Sequence, residues 1–365
     1  MSNGFPLLEV SGSPLSRGQA HGEVFREEIR ALLPVYFDHL ERLSRDHRVP
    51  VLSKTRVLEI SGTYAEPAAA YAVDLLEEAR GIATGAGVPI EEIIALNGFL
   101  DIFDYLSPNF IGAGCTTFMV PDMEGGARAA IGQNYDLVEI FQPAAVLLRI
   151  TGAGPDALMY TTAGMLGCAG LNSEGIGVVI NNLVPGDAGP GVPYPFVIRR
   201  ILASVQIGDA IDAAVSSRRA SGMNYVLCDR HGEIYNLETT ADDYEATSPF
   251  DGPMAHSNHY LADRLRPLER RAHDQRGQSL ARWGRATRLL RRSADPNADT
   301  IRSALSDHVN SPVSICRHSV NGCGQTICGI VLEPSNGRAW FARGPCCEHA
   351  WQEYRLFETA GRQVA

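Results

Sequence analysis

An α+β fold, with antiparallel sheets layered against helices in one domain, is predicted by three features of this 365-residue sequence. Apolar residues return at three- and four-residue steps through nearly all of the first hundred positions. Beyond Cys115 the texture changes to short β-rich runs separated by glycine turns. No internal repeat or low-complexity linker divides the chain, and strand runs interrupted by helices suit layered sheets.

The elements follow in order. Phe25, Ile29, Leu32, Leu33 and Tyr36 mark a helical pattern over Pro14 to Leu43 behind a Ser13 cap. Further helices are expected over Tyr64 to Thr84 and Pro89 to Tyr105. Strand-like runs cover Ala129 to Ile131, Ala145 to Thr151, Ala157 to Thr162 and Ile176 to Asn181. Helices at Pro195 to Val205 and Ile211 to Ser217 precede strands at Asn224 to Asp229 and Glu233 to Glu238. Tyr260 to Arg292 reads as helix, and two strands, Gln325 to Glu333 and Arg338 to Arg343, flank the turn Pro334-Ser335-Asn336-Gly337.

Composition removes several function classes. A hydrophobic content of 45% with 20% charged residues is that of a globular protein with a sizeable core. The formal net charge of -10 argues against broad nucleic-acid binding, which needs a dense basic face; the arginines between Arg264 and Arg292 read as a solvated helix face. Lys54 is the only lysine and has no glycine-rich loop before it, so a phosphate-binding P-loop is not expected. No apolar run approaches the roughly 18 residues that span a bilayer, and Met1 to Pro14 lacks a signal-peptide layout. The expectation is a cytoplasmic protein with no membrane partner. Its eight cysteines, unevenly spaced, read as reduced buried thiols.

One dipeptide carries the chemistry. In Gly114-Cys115-Thr116-Thr117-Phe118 a cysteine follows glycine at the start of an apolar run. Attack of Cys115 on the Gly114 carbonyl would cut the chain and leave Cys115 as a new amino terminus. That terminus holds a thiol beside an amine of pKa about 7.7 to 8, a nucleophile with its own base. Gly114 has no Cβ to obstruct the attack. Downstream, Gly132-Gln133-Asn134-Tyr135-Asp136 ends a β-like run with a polar cluster, in which an aspartate could orient the amine. Asn181 and Asn182 close an apolar strand, and His256-Ser257-Asn258-His259-Tyr260 offers a further asparagine; neutral amides are apt oxyanion donors.

These motifs, in this order, resemble the isopenicillin-N acyltransferase-like proteins, N-terminal nucleophile hydrolases of peptidase family C45, and more distantly the choloylglycine (bile salt) hydrolases and penicillin V acylases. Arg17-Gly18-Gln19-Ala20-His21-Gly22 and Gly81 to Gly87 extend the likeness over nearly the whole chain. The resemblance implies a four-layer αββα sandwich, with a mainly helical segment 1–114 released on cleavage but staying associated and a catalytic core 115–365. It implies Cys115 as nucleophile, Asp136 as the residue that orients it, Asn182 and Asn258 as oxyanion donors, and Arg282 as an active-site arginine, with Arg285 and Arg288 as alternative registers. Gln133, Asn134, Tyr135 and His259 are the candidate substrate contacts; Gln133 stands where the bile salt hydrolases carry a positive charge. The expected substrate is a small amide or acyl thioester, with acyl-CoA and an acceptor amine as candidate partners, and hydrolysis and transfer both stay open. The two fragments are expected to associate, and a homo-oligomer stays open. No cofactor is implied.

Two rival readings exist. A noncatalytic small-ligand binder on the same fold has no use for Cys115, Asp136 and Asn258 together. A zinc-stabilised protein would draw on Cys316, His318, Cys323, Cys328, Cys346, Cys347 and His349, but no paired spacing of two to four residues occurs in duplicate, so the expectation is no metal.

Overall fold

The computed structural model describes residues 4–46, 50–106, 114–122, 128–320 and 324–356. Strand β1 (Leu7–Ser11) leads into helices α1 (Pro14–Val24), α2 (Arg26–Asp46), α3 (Lys54–Gly62), α4 (Ala65–Ala86), α5 (Ile90–Asn97) and α6 (Phe99–Leu106). Then come β2 (Thr116–Val120), β3 (Ala130–Leu137), β4 (Ala145–Thr151), β5 (Ala157–Thr162), β6 (Ala169–Asn172) and β7 (Gly177–Leu183). Helices α7 (Tyr194–Ile201) and α8 (Ile207–Val215) precede β8 (Gly222–Cys228), β9 (Ile234–Thr239), β10 (Tyr244–Thr247) and β11 (Met254–His256). The chain closes with α9 (His273–Arg292), α10 (Ala298–Ala304), β12 (Gln325–Glu333), β13 (Arg338–Arg343) and β14 (Gln352–Arg355).

The strands form two sheets. One has the order β1-β4-β5-β6-β7-β8-β9-β10, the other β11-β2-β3-β12-β13-β14. All pairings are antiparallel except β1 with β4. The sheets pack face to face through β2, β3 and β12 against β6, β7 and β8, with α8 on the larger sheet and α9 and α10 on the smaller. The α+β expectation is met as a four-layer αββα sandwich.

Alternation along β2 and β3 sorts the layers, because successive strand residues face opposite sides. Phe118, Val120 and Ala130 pack with Leu290 and Ile301 beneath α9 and α10. Cys115, Met119, Ile131, Tyr135 and Leu137 belong instead to the main core between the sheets. The nucleophile candidate and its neighbour Thr116 therefore look into different layers.

The segment before Cys115 is not helical throughout. β1 is a strand, and its parallel register with β4, Leu7 opposite Leu147, makes it an edge of the larger sheet. Two short helices, α3 and α10, and the strands β6, β10, β11 and β14 are also additions to the sequence reading. Expected helices break at Phe25 and Gly98, the one from Pro195 ends at Ile201, and the largest loss is that Tyr260 to Ala272 is not part of α9. The Glu238 carboxylate accepts the Leu261 and Ala262 amides at 2.7 and 3.0 Å, Arg270 N–H bonds Val184 O at 2.8 Å, and Pro267 sits in a single 3-10 turn. Amides committed to those acceptors cannot also bond carbonyls four residues back.

The glycine motifs have a packing cause. A Cβ on Gly18 would lie 1.9 Å from the Glu78 carbonyl oxygen, and one on Gly81 2.2 Å from that of Leu15. Gly22 and Gly85 are equally tight, so α1 and α4 touch backbone to backbone.

Candidate active site

Cys115 sits at the entrance to β2, where the pairing of Thr116 with Asn134 places it beside the end of β3. It is 4% exposed in the uncut chain. Its thiol accepts a hydrogen bond from the Asp136 amide, yet burial, with the Asp136 charge second, pushes the thiol pKa up to about 12. Left alone, this sulfur stays protonated and needs a base.

Asp136 stands on the helix side of the sheet, like Asn134 two residues earlier. Its Oδ1 accepts from Thr326 Oγ1 at 2.7 Å, while Oδ2 is buried with no hydrogen-bond partner. Burial raises its pKa to about 7, outweighing the guanidiniums of Arg317 and Arg282 that act to lower it. The carboxyl thus changes charge near neutrality, the range a proton acceptor needs.

Arg282 joins the pieces. Nη1 donates to Cys115 O at 2.6 Å and to Thr116 Oγ1 at 3.1 Å, and Nη2 donates to Asn258 Oδ1 at 2.9 Å. Burial, then Arg317, lowers its pKa to about 10, which still leaves it charged at neutral pH. Arg285 pairs instead with Asp307 on the rim of α9, so of the two it is Arg282 that meets the cysteine. Asn258 donates through Nδ2 to Asn182 O at 3.0 Å. The Asn182 side chain spans further: its Nδ2 donates to Asp104 Oδ2 at 2.7 Å and its Oδ1 accepts from Arg271 Nη2 at 3.0 Å. Asp104, on α6, also accepts from Ser221 Oγ at 2.7 Å, and burial lifts its pKa to about 7.

The four candidate substrate contacts are all engaged within the fold. Gln133 Oε1 accepts Ile180 N–H at 2.5 Å across the sheets. Asn134 Nδ2 donates to Leu305 O and Ile315 O at 2.8 and 2.9 Å, pinning the end of α10. The Tyr135 and Tyr194 hydroxyls are 2.9 Å apart. His259 Nδ1 meets Ser279 Oγ at 2.8 Å, and burial drops its pKa to about 3, so the ring is neutral.

Two groups at the site, Ser279 and Arg317, were not singled out from sequence, and a third, Asn181, was noted only as the neighbour of Asn182 at the strand's exit. Ser279, one helical turn before Arg282 on α9, also accepts Asn258 N–H at 2.8 Å and holds the asparagine loop. Asn181 Oδ1 accepts from Thr117 Oγ1 at 2.8 Å and Asn224 Nδ2 at 3.2 Å, while its Nδ2 is buried without a partner. Arg317 packs against Gly114, where a Cβ would lie 2.1 Å from its Nη1. A side chain at position 114 would displace the end of the Arg317 side chain, so glycine here leaves room for that guanidinium. The serine and the arginine carry no motif of their own, whereas the paired Asn181-Asn182 is visible in the sequence.

A four-layer αββα sandwich in which a cysteine opens a buried strand is the architecture of the N-terminal nucleophile hydrolases. The chain belongs to the acyl-coenzyme A:6-aminopenicillanic acid acyl-transferase family, whose sequence model matches residues 123–345. It is an enzyme of a group that comprises acyltransferases and amide hydrolases. It is 29% identical over 275 residues to the acyl-coenzyme A:6-aminopenicillanic-acid-acyltransferase 40 kDa form of Emericella nidulans, covering 70% of this chain and 71% of that one. An N-acylethanolamine-hydrolyzing acid amidase of Caenorhabditis elegans is 28% identical over 72 residues, 20% of either chain. Among solved structures, a variant of the conjugated bile acid hydrolase of Clostridium perfringens covers 68% of this chain and 100% of its own, at 12% identity and a TM-score of 0.44. The penicillin V acylase of Agrobacterium tumefaciens covers 64% and 77%, at 11% identity and a TM-score of 0.34.

Proposed function

We propose that the chain activates itself by cutting between Gly114 and Cys115 and then transfers or hydrolyses acyl groups through an acyl-Cys115 intermediate. The observation that carries this reading is the Arg282 guanidinium, which grips the Cys115 carbonyl and Asn258 at once. Fixing the backbone of a nucleophile is what both self-cleavage and acyl transfer require.

In the first stage Asp136 takes the thiol proton and the Cys115 sulfur attacks the Gly114 carbonyl carbon. The C–N bond breaks as the nitrogen gains a proton, leaving a thioester between Gly114 and the Cys115 sulfur. Water then cleaves the thioester, giving the Gly114 carboxylate and a free amino-terminal Cys115. In the second stage the α-amine takes the thiol proton and the sulfur attacks the substrate carbonyl. Asn258 and Asn182 supply oxyanion donors, the leaving group departs protonated, and water or an acceptor amine resolves the thioester.

The names of the family and of the Emericella relative favour an acyl-CoA thioester as acyl source and an amine as acceptor. The Caenorhabditis relative favours an N-acylated amine and hydrolysis. The test is to express the wild type beside Cys115→Ala and to incubate each with acyl-CoA and N-acyl amine panels, with and without an acceptor amine. Expected are two fragments and a trapped acyl-Cys115 thioester for the wild type, with neither for the variant. An uncut wild type with full activity overturns the processing step; activity that survives in Cys115→Ala overturns the nucleophile.

A further inference from the structure

We propose that His308, Cys316, His318 and Cys347 form a structural zinc site that holds the loop carrying Arg317 against the Gly114 end of the active site. Three separate segments supply the ligands: the turn after α10, the loop before β12, and the turn after β13. Their ligand atoms all lie within 4.8 Å of one another. His308 Nε2 is 3.1 Å from His318 Nε2, His318 Nε2 is 3.3 Å from Cys347 Sγ, and the two sulfurs are 3.7 Å apart.

Those three separations are close to edges of a zinc tetrahedron, and the other three pairs lie within 4.8 Å. With Zn–N of about 2.0–2.1 Å and Zn–S of about 2.3 Å, tetrahedral angles put nitrogens about 3.3 Å apart, sulfurs about 3.8 Å and mixed pairs about 3.6 Å. Hydrogen bonding accounts for only part of the grouping: the two imidazoles can share one N–H···N bond, but the thiols beside them are weak donors. Two thiolates and two imidazoles make a closed four-ligand set, which selects zinc over harder ions and leaves no open position for catalysis.

The surroundings favour metal as well. Glu348 Oε1 lies 3.4 Å from His318 Nδ1, so a proton held there leaves Nε2 free to point at the ligand cluster. Asp307 pairs with Arg285, and its carbonyl accepts Cys316 N–H at 2.9 Å, which folds the loop back so that His308 and Cys316 converge. Cys347 is presented by the turn in which Pro345 O accepts the Glu348 amide at 3.0 Å. The other cysteines and histidine of this region go elsewhere or cannot be placed. Cys346 Sγ donates to Asn134 Oδ1, Cys328 is buried in β12, His349 packs beneath Gly344, and Cys323 lies outside the described residues.

A metal here would act one residue from the active site. Arg317 sits between two ligands; its amide donates to Thr326 Oγ1 at 3.1 Å, and the same hydroxyl donates to Asp136. The zinc site does not depend on the acylation chemistry, so it is tested in the full-length Cys115→Ala chain, where self-cleavage cannot intervene.

The experiment is metal analysis of that chain after dialysis, followed by zinc and cobalt titration of the chelator-stripped protein. Expected are one retained zinc per chain and, with cobalt, an absorption band from thiolate-to-metal charge transfer. The variant His308→Ala/Cys347→Ser, altered at two exposed positions, should keep the wild-type circular dichroism and lose more than ~100-fold in zinc affinity. A second variant, Glu348→Gln, should weaken zinc by about 10-fold and leave the cobalt band in place. Zinc retained unchanged by the double variant overturns the proposal. So does a stripped chain that takes up no metal, or a native Cys316–Cys347 disulfide found by peptide mapping.

Discussion

Arg282 Nη1 donates to the carbonyl oxygen of Cys115 at 2.6 Å, and the same guanidinium holds Asn258 Oδ1 at 2.9 Å through its other arm. One planar group thus sets the distance between the backbone of the proposed nucleophile and the proposed oxyanion donor. Lysine keeps the charge but cannot make both bonds in that fork geometry. Arg282→Lys should slow self-cleavage and turnover by at least ~10-fold, whereas Arg285→Ala, which loses a rim contact with Asp307, should change neither beyond about twofold. Cleavage time courses on gels, alongside melting temperatures, separate the two variants. Equal rates for both would remove Arg282 from the site.

In the proposed mechanism Asp136 gives self-cleavage its pH dependence. Its buried carboxyl is held at about 7, so the fraction able to take the thiol proton grows as pH rises through that value. Self-cleavage should therefore accelerate about 10-fold per unit from pH 5 to 6.5 and level off above 7.5. Asp136→Asn should fold, cleave at least ~100-fold more slowly, and lose that limb. Stability runs the other way. A carboxyl whose pKa is raised on folding binds protons more tightly in the native state, so native stability falls between about pH 4 and 7 as the buried group ionises. The asparagine variant should be the more stable of the two at pH 8, by roughly 2–4 kcal/mol, and equal to wild type at pH 4. Urea midpoints for both chains in a Cys115→Ala background measure this, and an unchanged difference across pH would show that Asp136 does not titrate where its burial places it.

Gly114-Cys115, Asp136 and Asn258 could be picked from the sequence because each sits in a short run whose chemistry is visible locally. The strands around them were also legible: Ala145 to Thr151, Ala157 to Thr162 and Gln325 to Glu333 have the bounds their alternation and turns suggest. What could not be read was convergence. Ser279 and Arg317 come from elements distant in sequence, and their importance lies in which backbone they reach. β1 was hidden because five residues at a sheet edge, only one of them buried, give little alternation signal. His308 was missed for a similar reason: an exposed histidine in a turn shows nothing until Cys316, His318 and Cys347 surround it. The stretch after Tyr260 looked helical because its arginines and leucines favour helix, yet Glu238, from a distant strand, takes its amides.

Close packing of α1 on α4 predicts an unusual response to alanine. Inside an exposed helix, Gly→Ala gains up to about 1 kcal/mol. At Gly18 the added carbon would lie 1.9 Å from the Glu78 carbonyl oxygen, so the helices must separate. Gly18→Ala should lower stability by more than ~2 kcal/mol. Gly277→Ala, where the new methyl would meet nothing within 4 Å, should be neutral or slightly stabilising. Thermal unfolding of both variants decides the matter, and a Gly18→Ala protein as stable as wild type would mean that the backbone contact is absent in solution.

The same helix pair bears on whether a cleaved amino-terminal fragment stays bound. Glu78 on α4 is buried and accepts from Arg17 Nη2 at 2.9 Å and from Arg199 Nη1 at 2.5 Å, so one carboxylate ties α1 and α4 to α7 on the far side of residue 114. Burial alone would raise its pKa, but Arg199 and then Arg17 outweigh burial and hold it below the ordinary value. The carboxylate therefore contributes fully above about pH 4.5, and its contribution fades as pH falls below that. Glu78→Gln leaves two buried guanidiniums without a counter-charge and should cost about 3–5 kcal/mol. In the uncut Cys115→Ala chain this appears as a lower urea midpoint. In a processed chain it should appear as release of residues 1–114 during size-exclusion chromatography at urea concentrations where the wild-type fragments still migrate together. Fragments of Glu78→Gln that co-migrate through the same urea range would place the association in the shared hydrophobic core alone, with no part for the buried ion pairs.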